Sequence, residues 1–118
     1  MTKIAVVVFA DGETHGDQGR VANALELAKE AKNASSEVKI IFDGAGTKWV
    51  PILNGEDSKL SVEYRQVADT VHGACAFCAA AFGVKDEIKA TGVRLLGEFE
   101  GHPSLHTLIV EGYTVVKF

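Results

Sequence analysis

A run of seven apolar residues, Ile4-Ala5-Val6-Val7-Val8-Phe9-Ala10, ends abruptly at Asp11-Gly12. Its hydrophobicity is continuous rather than alternating. That pattern belongs to a strand covered on both faces, which is the condition of an interior strand in a parallel sheet. A parallel neighbour needs a crossover, and the next segment supplies one. Val21, Ala24, Leu25, Ala28 and Ala31 fall at i, i+3, i+4, i+7 spacing, so a helix is predicted from about Asp17, its N-cap, to Lys32. Val38 to Phe42 then reads as a second strand, closed by Asp43-Gly44, and the three segments form a right-handed βαβ unit.

The remaining chain repeats that alternation. A helical turn is predicted over Thr47–Leu53 and a helix over about Lys59–Ala68. A third strand lies within Thr70–Ala76, although His72 and Gly73 weaken its pattern. A short helix begins near the cysteines and stops at Gly83; Lys85–Thr91 forms another, stopped by Gly92. Val93–Leu96 is a fourth strand, His102–Glu111 a last helix, and Tyr113–Phe118 a fifth strand whose alternation marks an edge. The expectation is one α/β domain over residues 1–118, a three-layer α/β/α sandwich on a mainly parallel five-stranded sheet with the first strand central. A chain of 118 residues buries roughly two-thirds of its unfolded surface, so its core needs no disulfide or metal staple.

A net charge of −4 spread along the chain argues against direct binding to nucleic acid or an anionic membrane. No apolar run reaches transmembrane length, and Met1-Thr2-Lys3 enters the first strand without a signal-peptide pattern. A cytoplasmic protein is expected. In that compartment two cysteines are reactive or metal-binding more often than bridged.

Both cysteines of the chain lie in His72-Gly73-Ala74-Cys75-Ala76-Phe77-Cys78, at a strand-to-helix turn. CxxC spacing lets two thiols meet, so that one can resolve a persulfide or mixed disulfide on the other. The opposing reading is two small buried residues, since free cysteine is often buried. A zinc site could start from His72, Cys75 and Cys78 and be completed by His102 or His106. There is no second cysteine pair, however, and no metal is expected. Gly12, Gly16 and Gly19 follow the first strand with G-x3-G-x2-G spacing, which is not a dinucleotide loop, and Asp43 before Gly44 is ordinary turn chemistry. No cofactor is expected. His15 lies at the same sheet edge; Glu98, Glu100 and His102 follow the fourth strand there, where carboxylates would raise a thiol pKa. Trp49 is read as core, with a subunit contact as the alternative.

The opening strand and glycine-containing loop, the Phe42-Asp43-Gly44-Ala45-Gly46 end of the second strand, and Cys75-x-x-Cys78 before Ala79-Ala80-Ala81 and Gly83 resemble the DsrE/DsrF-like family of small sulfur-relay proteins. The resemblance spans nearly the whole chain. It implies a persulfide carrier that takes sulfur from a donor protein and passes it to an acceptor protein, in a homo-oligomer, trimeric or hexameric. Cys78 matches the sulfur-accepting cysteine and Cys75 the additional thiol found in related members. The alternatives are a thiol-disulfide redox protein, against which the CxxC follows the third strand rather than the first, and a non-catalytic oligomeric module whose cysteines are structural or redox-sensing.

Overall fold

The structure is a computed structural model that describes all residues from Met1 to Phe118. Five strands, β1 (Lys3–Val8), β2 (Glu37–Phe42), β3 (Val71–Cys75), β4 (Leu95–Leu96) and β5 (Thr114–Lys117), form one sheet in the order β4-β3-β2-β1-β5. Every pairing is parallel. β1 is an interior strand, as its continuous hydrophobicity requires, but the middle position belongs to β2. β5 is an edge, as its alternation predicts. The other edge, β4, is a two-residue strand, shorter than the four-residue run that suggested it.

Strand order decides where the helices go. From β1 to β4 the chain steps across the sheet in one direction, then returns past β1 to place β5. Right-handed crossovers therefore put everything before β4 on one face and the final crossover on the other. The core follows this division. On one face Val6, Val8, Ile40, Phe42 and Ala74 pack against residues of α1 (His15–Asn33), α2 (Trp49–Asn54), α3 (Ser61–Val67), α4 (Ala76–Ala81) and α5 (Lys85–Thr91). On the other, Ala5, Val7, Ile41 and Leu96 meet Leu108 of α6 (Leu105–Val110) and Tyr113. The three-layer α/β/α sandwich is present, with one helical layer much thinner than the other.

Several boundaries move for identifiable reasons. α1 starts at His15 and its N-cap is Thr14, not Asp17. Asp17 instead occupies the third helical position and closes a capping box: its amide donates to Thr14 Oγ1 (3.1 Å) while its carboxylate accepts the Thr14 amide (3.0 Å). The turn after β2 is a 3₁₀ segment, Gly44–Lys48, that runs into α2. The last helix begins at Leu105, because Ser104 caps it by accepting the Thr107 amide. β3 carries an irregularity: Ile40 pairs with Val71 but Ile41 with Gly73, leaving His72 as an extra residue on β3. Gly73 is needed there because a Cβ would stand 2.5 Å from the Arg94 carbonyl oxygen and 2.7 Å from Leu96 Cγ. Trp49 is core, 3% exposed, with its indole N–H donating to the Asp11 carbonyl at 3.0 Å. No helix is long and apolar enough to cross a membrane.

Candidate functional site

Three strand ends and one helix turn converge at the carboxyl edge of the sheet. The register sets Phe42 beside Ala74 and Cys75 beside Leu96, so Asp43, just past β2, lies level with the end of β3. Cys75 is the last residue of β3 and also the N-cap of α4: its sulfur accepts the Cys78 amide at 3.4 Å. Cys78 is the third residue of that helix, one turn above Cys75. Its thiol donates to Asp43 Oδ1 at 3.5 Å, an oxygen that also accepts the Gly44 amide at 2.8 Å.

The fourth member arrives by a tight turn. After β4, Phe99 and His102 exchange backbone hydrogen bonds of 2.9 and 2.8 Å across Glu100 and Gly101, whose φ values are 51° and 87°. Two successive positive φ values are those of a type I′ turn. The Gly101 carbonyl then accepts the Phe77 amide at 2.9 Å, which ties the turn to the start of α4. The result brings His102 Nδ1 to 3.4 Å from Cys75 Sγ, with the imidazole lying beside the Phe77 ring at 4.7 Å between centroids. One donor atom from each of Asp43, Cys75, Cys78 and His102 lies within 4.8 Å of the others.

Both cysteines are free thiols; Cys75 is buried and Cys78 half-buried. Burial pushes the Cys75 thiol up to about 12, against the opposing pull of the Cys78 amide. Cys75 is therefore enclosed and protonated at neutral pH.

Of the other residues considered, His72 stays outside the cluster, on the β3 irregularity beside Lys39 and Glu98. His106 is exposed on α6, and Glu100 sits at the tip of the turn. His15 does not face the cysteines. It lines a surface groove of about 780 Å³ with Gly12, Trp49 and Ile52, which contains none of the four clustered residues. The contribution of Asp43 was not foreseen. Its signal was an acidic residue closing one strand at the edge where a second strand delivers a thiol.

No protein-family model matches the chain. Its fold is similar to that of the conserved protein of unknown function BT1422 from Bacteroides thetaiotaomicron: TM-score 0.67 at 20% identity, over 98% of this chain and 95% of that one. The YchN protein from E. coli superposes with a TM-score of 0.59 at 16% identity, over the full length of both chains. In sequence the chain is 31% identical to the uncharacterized protein MJ0733 of Methanocaldococcus jannaschii, over 98% of this chain and 94% of that protein. At that identity and coverage, the chain belongs to the same family as MJ0733.

Proposed function

We propose that this protein is a cytoplasmic sulfur carrier of the DsrE/DsrF-like kind, which holds sulfane sulfur on Cys78 for delivery to a protein partner. The observation that carries this reading is the unequal pair of reduced thiols. Cys78 is half-buried at the rim and Cys75 fully buried beneath it, with their sulfurs within 4.8 Å. An accepting thiol needs access; a resolving thiol needs only proximity. In the loading step the Cys78 thiolate attacks the outer sulfur of a donor persulfide, forming Cys78–S–SH and releasing the donor thiolate. In delivery an acceptor thiolate attacks that same outer sulfur, and Cys78 leaves as thiolate. Should Cys75 as thiolate attack the inner sulfur instead, hydrosulfide leaves and a Cys75–Cys78 disulfide remains, which an external thiol must reduce.

Incubation with a low-molecular-weight persulfide donor, followed by intact-mass spectrometry without reductant, tests the assignment. Wild type and Cys75→Ser gain the mass of one sulfur atom, and Cys78→Ser does not. Loading that follows Cys75 and ignores Cys78 would reverse the roles, and loading on neither would favour the structural reading of the pair. The homo-oligomer implied by the resemblance belongs to this proposal. Exposed Ile109 and Val110 on α6, 57% and 71% accessible, lie on the thinly covered face and offer apolar surface for it.

A further inference from the structure

Beyond sulfur carriage, we propose that Asp43, Cys75, Cys78 and His102 form a tetrahedral site for a thiophilic divalent cation of the Zn²⁺ class. The argument is one of distances. With Zn–S bonds of roughly 2.3 Å and Zn–N or Zn–O bonds of roughly 2.0–2.2 Å, tetrahedral coordination sets sulfur-to-nitrogen and sulfur-to-oxygen edges of about 3.5 Å and a sulfur-to-sulfur edge of about 3.8 Å. The Cys75 Sγ to His102 Nδ1 separation is 3.4 Å and the Cys78 Sγ to Asp43 Oδ1 separation 3.5 Å. The remaining separations all fall within 4.8 Å, and the shortest edge required, nitrogen to oxygen, is about 3.4 Å, so closing any pair by at most about 1.4 Å, shared between two side chains, brings four donors onto one ion. Two sulfurs, one imidazole nitrogen and one carboxylate oxygen suit zinc; magnesium and calcium require six or more oxygens.

The surroundings are those of a supported metal site. The Cys78 amide donates to Cys75 Sγ and the Gly44 amide to Asp43 Oδ1, so two ligands are held by backbone N–H groups that also offset their negative charge. Phe77 lies beside the His102 ring, and the type I′ turn fixes the backbone beneath it. Asp43 and Cys75 are buried whereas Cys78 and His102 are half-buried, leaving one open side for entry. Binding is not a redox step. The two thiol protons pass to solvent as the two Zn–S bonds form, and no electron moves. Because Cys78 cannot hold zinc and sulfane sulfur at once in this arrangement, the ion protects the thiols and competes with sulfur loading.

The experiment uses the reduced, metal-stripped full-length protein and anaerobic titration with Co²⁺, followed by displacement with Zn²⁺. The expected result is one Co²⁺ per chain, with thiolate-to-cobalt charge-transfer bands and the intense visible absorption of tetrahedral cobalt, abolished by one equivalent of Zn²⁺. Cys75→Ser and Cys78→Ser each lose charge-transfer intensity. His102→Gln and Asp43→Asn lower Zn²⁺ affinity, read by chelator competition, by at least the roughly 10–100-fold that a supporting partner alone is worth. Far-UV circular dichroism of each variant separates lost ligands from lost fold. A weak octahedral cobalt spectrum overturns the proposal. So does an affinity unchanged in His102→Gln and Asp43→Asn, which would reduce the site to a bare dithiol chelate. Sulfane sulfur loading of metal-free His102→Gln serves as the separate arm: it survives if only the metal reading is wrong, and it fails, with cobalt binding intact in wild type, if only the carrier reading is wrong.

Discussion

Gly46→Ala is the substitution for which the packing gives the sharpest expectation. Gly46 lies in the 3₁₀ segment that follows β2, and its Cα faces the end of β1. A Cβ built there would stand 1.9 Å from the Val8 carbonyl oxygen and 2.7 Å from the Val8 carbonyl carbon. Ordinary contact needs more than about 3 Å, so one backbone segment must retreat by about 1 Å. Val8 is fully buried on an interior strand and cannot yield cheaply. Its carbonyl also accepts the Asp43 amide at 2.9 Å, so retreat of the turn stretches the bond that anchors Asp43. Overpacking of this kind costs roughly 1–3 kcal/mol and the hydrogen bond about 1 kcal/mol more, giving a loss of about 2–4 kcal/mol. For a domain of this size that is a fall of roughly 10–20 °C in Tm by differential scanning calorimetry. The control is Gly19→Ala. Gly19 is exposed within α1 and has nothing within 4 Å of its added Cβ. Replacing helical glycine by alanine should stabilise by about 0.5–1 kcal/mol. Equal melting temperatures for wild type and Gly46→Ala would refute the close-approach argument.

Three further outcomes are expected. Thr14→Ala removes the side-chain half of the α1 capping box and should cost about 1 kcal/mol in urea unfolding, with the m-value unchanged. Burial first, then the positive charges of Lys39 and Arg94, hold the His72 imidazole below its ordinary value of 6.5, while Glu98 and Glu111 oppose them. The unfolded chain thus binds the proton more readily: stability is complete above pH of about 6.5, is lost as pH falls through the window below it, and that slope should flatten in His72→Gln. Sedimentation velocity should show an assembly larger than a monomer at micromolar concentration, dissociated by Val110→Glu; a monomer throughout that range would remove the oligomer from the proposal.

The parts of the molecule visible in the sequence are those governed by local periodicity. Continuous hydrophobicity at Ile4–Val8 marks an interior strand, the Val38–Phe42 run closed by Asp43-Gly44 marks a second strand, and the spacing of Val21, Ala24, Leu25 and Ala28 marks the buried face of α1. The parts that were hidden depend on pairing between distant segments. β4 keeps only Leu95 and Leu96, paired with Ala74 and Cys75; Val93 and Arg94 fall alongside the His72-Gly73 irregularity of β3, and no property of their own announces that. The periodicity places the cap of α1 at Asp17, and the threonine three residues earlier carries no periodic signal; two reciprocal hydrogen bonds decide for Thr14. Cys75 and Cys78 were legible as chemistry, but the company they keep was not. Asp43 is 32 residues before Cys75 and His102 is 27 after it, read from their numbers, and only the parallel register and the turn at Glu100-Gly101 bring them together.

The least readable feature is also the one that aims the first thiol. Side chains alternate along a strand, so a regular β3 would put Val71, Gly73 and Cys75 on one face. Val71 instead packs with the α1–α5 side of the core, and Ala74, three residues on, lies in that same cluster. The shift is the work of His72, the extra residue that β2 leaves unpaired between Ile40 and Ile41. One residue of slip moves every later side chain to the opposite face. Cys75 is thereby turned away from the α1–α5 layer, toward the side that the chain after β4 must cross to reach α6, and the His102 turn lies on that path. The glycine that follows the extra residue permits the close approach of Arg94 and Leu96 that carries β4, and hence His102, into range. His72-Gly73, the pair that weakens β3 as a sequence pattern, is what lets β3 present its last residue to a histidine rather than bury it beneath a helix.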